Sequence, residues 1–118
     1  MYKLSVEEKF SAAHQLTNYK GPCENLHGHT WKVRITVEGA ELDQSGMLLD
    51  FRVLKSHLKK IHNEFDHTFL NNLVPFSPTS ENLSKYIFEK MDKDLPKQVT
   101  LKEITVWESE TSCATYYV

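Results

Sequence analysis

Histidine is the unusual residue of this chain. There are six in 118 residues, and His14, His27 and His29 fall within sixteen consecutive positions. On an extended backbone, residues i and i+2 share a face, so His27-Gly28-His29 presents two imidazoles side by side. On a helix the same pair would lie roughly 200° apart and could not hold one ion. His14 closes the first strand-like segment. If that segment pairs antiparallel with the second, His14 comes opposite His27 and His29. Each histidine alone is an ordinary polar residue of a half-exposed sheet, but the triplet points to a metal, because imidazole is the commonest metal-ligating side chain. Three imidazoles with an open fourth position make a Lewis-acid site, and zinc suits it.

Such a site calls for an acid or a base. Cys23 lies four residues before His27 in a loop, and a nearby cation would favour its thiolate. It could serve as fourth ligand, base or nucleophile, or fill space as a small apolar residue. Cys113, in the last strand, fits the space-filling description better. Asp66-His67 joins a carboxylate to an imidazole, which can fix a tautomer and raise basicity; such pairs also arise on solvated helix ends. His57 and His62 fall in a helical pattern and read as packing or solvated residues. Glu108, after Trp107, could accept two hydrogen bonds from an amidine-like edge such as that of a pterin or guanine, or stand exposed in a turn with Glu110.

The elements that must position these groups follow from periodicity. Tyr2, Leu4 and Val6 alternate with polar residues, and the alternation runs on through Phe10, Ala12 and His14. Trp31 to Glu38 alternates and is rich in β-branched residues. Asn18 to Asn25 reads as a loop. Asp50 caps a helix whose apolar stripe is Phe51, Leu54, Leu58, Ile61 and Phe65. Thr79 or Ser80 caps a second helix, with Glu81 in its first turn and Leu83, Tyr86, Ile87 and Met91 on its apolar face. Val99, Leu101, Ile104 and Val106 form a third strand with a one-residue slip at Lys102-Glu103, the mark of a bulge. Cys113 to Val118 makes the last strand. The order β-β-α-α-β-β predicts an α+β domain over residues 1–118, with a four-stranded antiparallel sheet and both helices on one face. The other face must be polar or pack on another copy. Tyr116 and Tyr117 point one to each side.

Composition bounds the function. Lys plus Arg is 14 and Asp plus Glu is 16, a net charge of -2. A dedicated nucleic-acid or anionic-membrane binder would show a basic excess. No run approaches 18 apolar residues, so a membrane-crossing helix is not expected. The N-terminal residues lack an apolar signal core, and a cytoplasmic protein is expected. Two cysteines are too few for a disulfide framework.

Read together, the motifs resemble the 6-pyruvoyl- and 6-carboxy-tetrahydropterin synthase family. The likeness rests on Phe10-Ser11-Ala12-Ala13-His14, Cys23-Glu24-Asn25-Leu26-His27-Gly28-His29, Leu49-Asp50-Phe51, Phe65-Asp66-His67 with Leu70-Asn71, Pro78-Thr79-Ser80-Glu81-Asn82 and Val106-Trp107-Glu108. It implies the tunnelling fold and zinc held by His14, His27 and His29. It implies Cys23 as general base, Asp66 and His67 as its relay, Glu108 as the pterin anchor, and Thr79 and Ser80 as substrate contacts. It further implies a homohexamer of two stacked trimers with active sites between subunits. The implied substrate is 7,8-dihydroneopterin triphosphate. The short chain looks most like the queuosine-pathway type, a lyase releasing acetaldehyde and triphosphate and leaving 6-carboxy-tetrahydropterin. The biopterin branch would give 6-pyruvoyl-tetrahydropterin instead. Relatives with a glutamate three residues before His-Gly-His cleave the side chain to a hydroxymethyl group, and this chain carries Glu24 there beside Cys23. A zinc-bound pterin-binding protein without turnover is the reading from another class. Lys20, Lys32 and Arg34 are candidates for the triphosphate by proximity alone.

Overall fold

The computed structural model describes residues 1–18, 20–21 and 25–118. Two long strands form its spine. Strand β1 spans Tyr2–His14 and β2 spans His27–Gly39. They pair antiparallel over their whole length, from Tyr2 opposite Gly39 to His14 opposite His27. The helix α1 covers Phe51–Phe65, and the Asp50 side chain accepts a hydrogen bond from the Arg52 N–H at its start. The helix α2 covers Ser80–Asp92, capped by Thr79, whose hydroxyl accepts from the Asn82 N–H. Both caps satisfy donors that a first helical turn leaves free. The remaining strands are β3, the two residues Thr68–Phe69, β4 (Thr100–Ser109) and β5 (Ser112–Tyr117).

The sheet order is β3-β1-β2-β4-β5. The expected four antiparallel strands are present, and a fifth joins them. Thr68–Phe69 runs parallel to β1, opposite Ala12 and Ala13. Two residues carry no periodicity of their own, so nothing in the sequence marks them as a strand. The slip expected in β4 is there: Thr36 faces Glu103 and Val37 faces Leu101, with Lys102 left over between them.

Alternation sorts the two faces. Val6, Phe10, Trp31, Val33, Ile35, Ile104 and Val106 are buried in one core with Leu54, Leu58, Ile61 and Phe65 of α1 and Leu83, Ile87 and Met91 of α2. At about 25 cal/mol per Å² of apolar surface removed from water, this layer drives the fold. The opposite face is polar. Arg34 pairs with Glu7 at 2.7 Å, and Lys32 and Arg34 lie over the Trp107 ring at 4.2 and 4.7 Å from its centroid. Tyr116 packs edge-on against Phe88 of α2, whereas Tyr117 is 70% exposed. Cys113, expected to fill space, is exposed instead, opposite Trp107 on this polar face. Among the described residues, no helix is long and apolar enough to cross a membrane.

Candidate metal centre

The β1–β2 register builds the site. His14 is directly opposite His27, and Ala12 is opposite His29, so all three imidazoles leave the helix-covered face at one end of the ladder. Their ring centroids lie 4.5, 4.6 and 5.1 Å apart. Trp31 forms the floor, 4.8 Å from the His14 ring and 5.6 Å from that of His29. Its indole N–H donates to the Ala12 carbonyl, which fixes the ring without exposing a buried donor.

Glu108 completes the cluster. It lies two residues beyond Val106 on β4 and therefore shares its face. Its Oε1 is 3.2 Å from His14 Nε2, 3.0 Å from His29 Nε2 and 3.9 Å from His27 Nε2. The four potential ligand atoms all lie within 4.8 Å of one another. Sequence reasoning assigned Glu108 to substrate and missed its closeness to the imidazoles. That closeness depends on the β2–β4 register, which links residues about eighty positions apart.

The donor set fits a cation. The Nδ1 of His14 is 2.8 Å from the Pro78 carbonyl oxygen, and the Nδ1 of His27 is 2.7 Å from that of Asn25. A carbonyl only accepts, so each ring carries its hydrogen on Nδ1 and, when neutral, a bare lone pair on Nε2. Those two Nε2 atoms lie 2.9 Å apart. Two lone pairs at that distance repel unless a proton or a metal ion stands between them. His29 Nε2 is buried with no hydrogen-bond partner among the described residues; its short contact with Glu108 lacks the direction of a hydrogen bond. Burial pushes the His29 ring below its ordinary 6.5; the Glu108 carboxylate pulls the other way, and His14 and His27 add to the lowering. A neutral imidazole is the form that ligates. Ligands at 2.0–2.1 Å in a tetrahedron stand about 3.3 Å apart, near the separations found here. The Pro78 and Asn25 carbonyls are the outer partners that orient two of the rings.

Asp66 and His67 lie elsewhere, on the β3 side of β1, while the histidine cluster lies on the β2 side. Among the described residues, no hydrogen bond or ion pair joins the two groups. Ser11 holds the pair at two points. Its N–H donates to Asp66 Oδ1 at 2.9 Å, and its carbonyl accepts from the His67 N–H at 2.6 Å. His67 Nδ1 is 2.8 Å from Asp66 Oδ2. His67 has φ of 58°, a left-handed backbone that costs a non-glycine residue energy and often marks a functional position. Its side chain is 84% exposed.

Cys23 and Glu24 lie outside the described residues. Thr79 spends its hydroxyl oxygen on the α2 cap, and Ser80 is buried beside it. The preceding Pro78 is the residue that touches His14. Lys32 and Arg34, candidates for the triphosphate, are engaged with Glu7 and Trp107 on the opposite face of the sheet. His57 is half-buried. His62, expected to be a packing or solvated residue, makes specific contacts described below.

Comparison with known proteins decides the lineage. The family model described as 6-pyruvoyl tetrahydropterin synthase matches residues 3–118. The chain belongs to that family. Within the family, the chain is 34% identical to a 6-carboxy-5,6,7,8-tetrahydropterin synthase of Haemophilus influenzae, over 98% of this chain and 99% of that one. It is 38% identical to the protein of the same name from Synechocystis, over 99% and 94%. It is also 38% identical to a dihydroneopterin monophosphate aldolase of Pyrococcus furiosus, over 90% and 89%. Among solved structures, the Caenorhabditis elegans 6-pyruvoyl tetrahydropterin synthase superposes with a TM-score of 0.85 at 28% identity, covering 99% of this chain and 95% of that one. The tunnelling fold is thus established, together with pterin synthase chemistry at the level of the family.

Proposed function

We propose that this chain is a zinc-dependent 6-carboxy-5,6,7,8-tetrahydropterin synthase. In this reading it converts 7,8-dihydroneopterin triphosphate and water to 6-carboxy-tetrahydropterin, acetaldehyde and triphosphate. The observation that carries the reading is the convergence of three imidazole Nε2 atoms and one carboxylate oxygen, with two of the imidazoles already tautomerically fixed. The names borne by full-length relatives at 34–38% identity support the product.

His14, His27 and His29 hold the zinc in this reading. When bound, zinc supplies Lewis-acid polarisation of the hydroxyl oxygens on the substrate side chain. Among the described residues Glu108 is the only carboxylate of the cluster, and it accepts two hydrogen bonds from the amidine edge of the pterin ring, a charge-assisted pair. Thr79 and Ser80, at the start of α2, line the ring's pocket; the Thr79 hydroxyl keeps its hydrogen to donate. Cys23, as thiolate, takes a proton from the side-chain carbon. His67, held by Asp66, passes protons to and from the side-chain oxygens. Asp66 and His67 lie across β1 from the histidine cluster, which supports a site completed by a neighbouring copy. The reading therefore includes a homohexamer of two trimers, working in the cytoplasm.

One observation favours a second reading. The similarity to an aldolase, together with Glu24 beside Cys23, supports cleavage of the side chain to 6-hydroxymethyl-dihydropterin. Product identification separates the two. Incubation with dihydroneopterin triphosphate should release acetaldehyde and carboxypterin. Hydroxymethyl-dihydropterin in their place would establish the aldolase reading, and substrate recovered intact from zinc-loaded protein would leave a binding protein.

A further inference from the structure

His62 sits in the last turn of α1, four residues before Asp66, and its imidazole is mostly covered. Its Nδ1 lies 2.7 Å from the Lys9 carbonyl oxygen of β1 and 3.7 Å from Glu8 Oε1. Its Nε2 lies 3.4 Å from Asp66 Oδ2, the oxygen that also meets His67 Nδ1 at 2.8 Å. The carbonyl can only accept, so Nδ1 carries a hydrogen. The other nitrogen faces the carboxylate either as a donor on a cationic ring or as a lone pair on a neutral one. In the first state it attracts Oδ2, and in the second it pushes Oδ2 toward His67.

We infer that His62 is a positioning residue that shares Asp66 Oδ2 with His67 and so sets how strongly Asp66 supports the His67 imidazole. The inference rests on the reading of His67 as the acid–base group. The chain of contacts is His62–Asp66–His67, anchored to β1 at Lys9 on one side and Ser11 on the other. Ser11 fixes Asp66 Oδ1 and the His67 backbone, leaving Oδ2 as the one oxygen between the two rings. Among the described residues, the charged groups facing His62 within 4 Å are Glu8 of β1 and Asp66. Glu8 stands on the Nδ1 side of the ring and Asp66 on the Nε2 side, where a hydrogen on Nε2 draws carboxylate charge away from His67.

The two nitrogens can be tested separately, because Asn imitates Nδ1 and Gln imitates Nε2. His62→Asn should keep the bond to the Lys9 carbonyl and lose the group facing Asp66. In zinc-loaded protein this variant should keep KM, lower kcat about three- to tenfold, and displace the pH–rate profile toward higher pH. Proton–nitrogen NMR of the His67 ring, followed against pH, should move toward higher pH by about half a unit. His62→Gln should restore most of the parent behaviour. A His67 titration in His62→Asn that superimposes on the parent overturns the inference, whatever the activity shows. If His67→Ala retains full turnover, the relay reading fails instead, while the NMR comparison still decides whether His62 governs Asp66.

Discussion

The Nε2 atoms of His14 and His27 stand 2.9 Å apart, although both rings already donate through Nδ1 to backbone carbonyls. Such a pair is unfavourable alone and favourable around a cation. Protein purified without added metal should therefore carry about one divalent ion per chain by elemental analysis. Chelation should lower its melting temperature, since an ion at a thousandfold its Kd contributes about 4 kcal/mol. His29→Ala should lose most of the metal. A His29→Ala protein that keeps a full complement contradicts the assignment.

Cys23→Ala should reduce turnover by about a hundredfold or more, with circular dichroism and metal content unchanged, because a positioned base contributes roughly 10²–10⁴. Cys113→Ser should leave turnover as in the parent, since its exposed thiol lies on the opposite, polar face. Rates measured side by side on the two variants check the base assignment, which fails if Cys23→Ala turns over normally.

Glu108 has two demands on one carboxylate, the imidazoles in the free protein and the pterin edge in the complex. Glu108→Gln should raise KM by about tenfold to a hundredfold, the cost of losing a charge-assisted hydrogen bond, about 1.5–3 kcal/mol. Metal content should stay near one per chain if three imidazoles suffice. Steady-state kinetics with metal analysis of the same preparation checks both outcomes.

The Ser11 N–H, more than any other group, holds the Asp66 carboxyl below its ordinary 3.8, with the His67 ring second. Its folded value is thus lower than its unfolded one. The stability it contributes is fully present above about pH 3.8 and is lost as pH falls through the folded value. Urea titrations of chelated parent and Asp66→Asn should show a stability gap at neutral pH that closes in this acid range. A gap of constant size would contradict the linkage.

Gly39 ends β2 where the chain is crowded. A Cβ there would stand 2.6 Å from Leu48 Cδ1 and 2.7 Å from the Gln98 carbonyl oxygen. The leucine methyl can shift, but the backbone oxygen cannot do so cheaply. Gly39→Ala should cost about 1–3 kcal/mol, read from denaturant midpoints. Turnover at low temperature should survive, because the site lies at the other end of the strand.

The long elements were legible because their periodicities are long. The first strand, the second from Trp31 to Glu38 and two capped amphipathic helices announce themselves, although β2 reaches back to His27, and the i, i+2 rule alone placed His27 and His29 together. The pairing of His14 with His27 followed from assuming adjacent antiparallel strands. What stayed hidden depended on register and strand order. Nothing local says that Glu108 meets His29, because that contact crosses the β2–β4 ladder. The two-residue β3 has no pattern to read, yet it carries Asp66 and His67 to the far side of β1. The packing or solvated role expected of His62 leaves out its hydrogen bond to Lys9, which no helical stripe encodes.

The extra residue in β4, Lys102, sets the phase of everything after it. Downstream of that irregularity, even-numbered residues look toward the helices and odd-numbered ones away. Were Lys102 taken into the ladder as a regular pair while Leu101 stays seated, Trp107 would point inward and Glu108 would turn out toward Lys32 and Arg34. The identity of the group that confronts the three imidazoles is thus decided six positions upstream, by a residue that touches none of them.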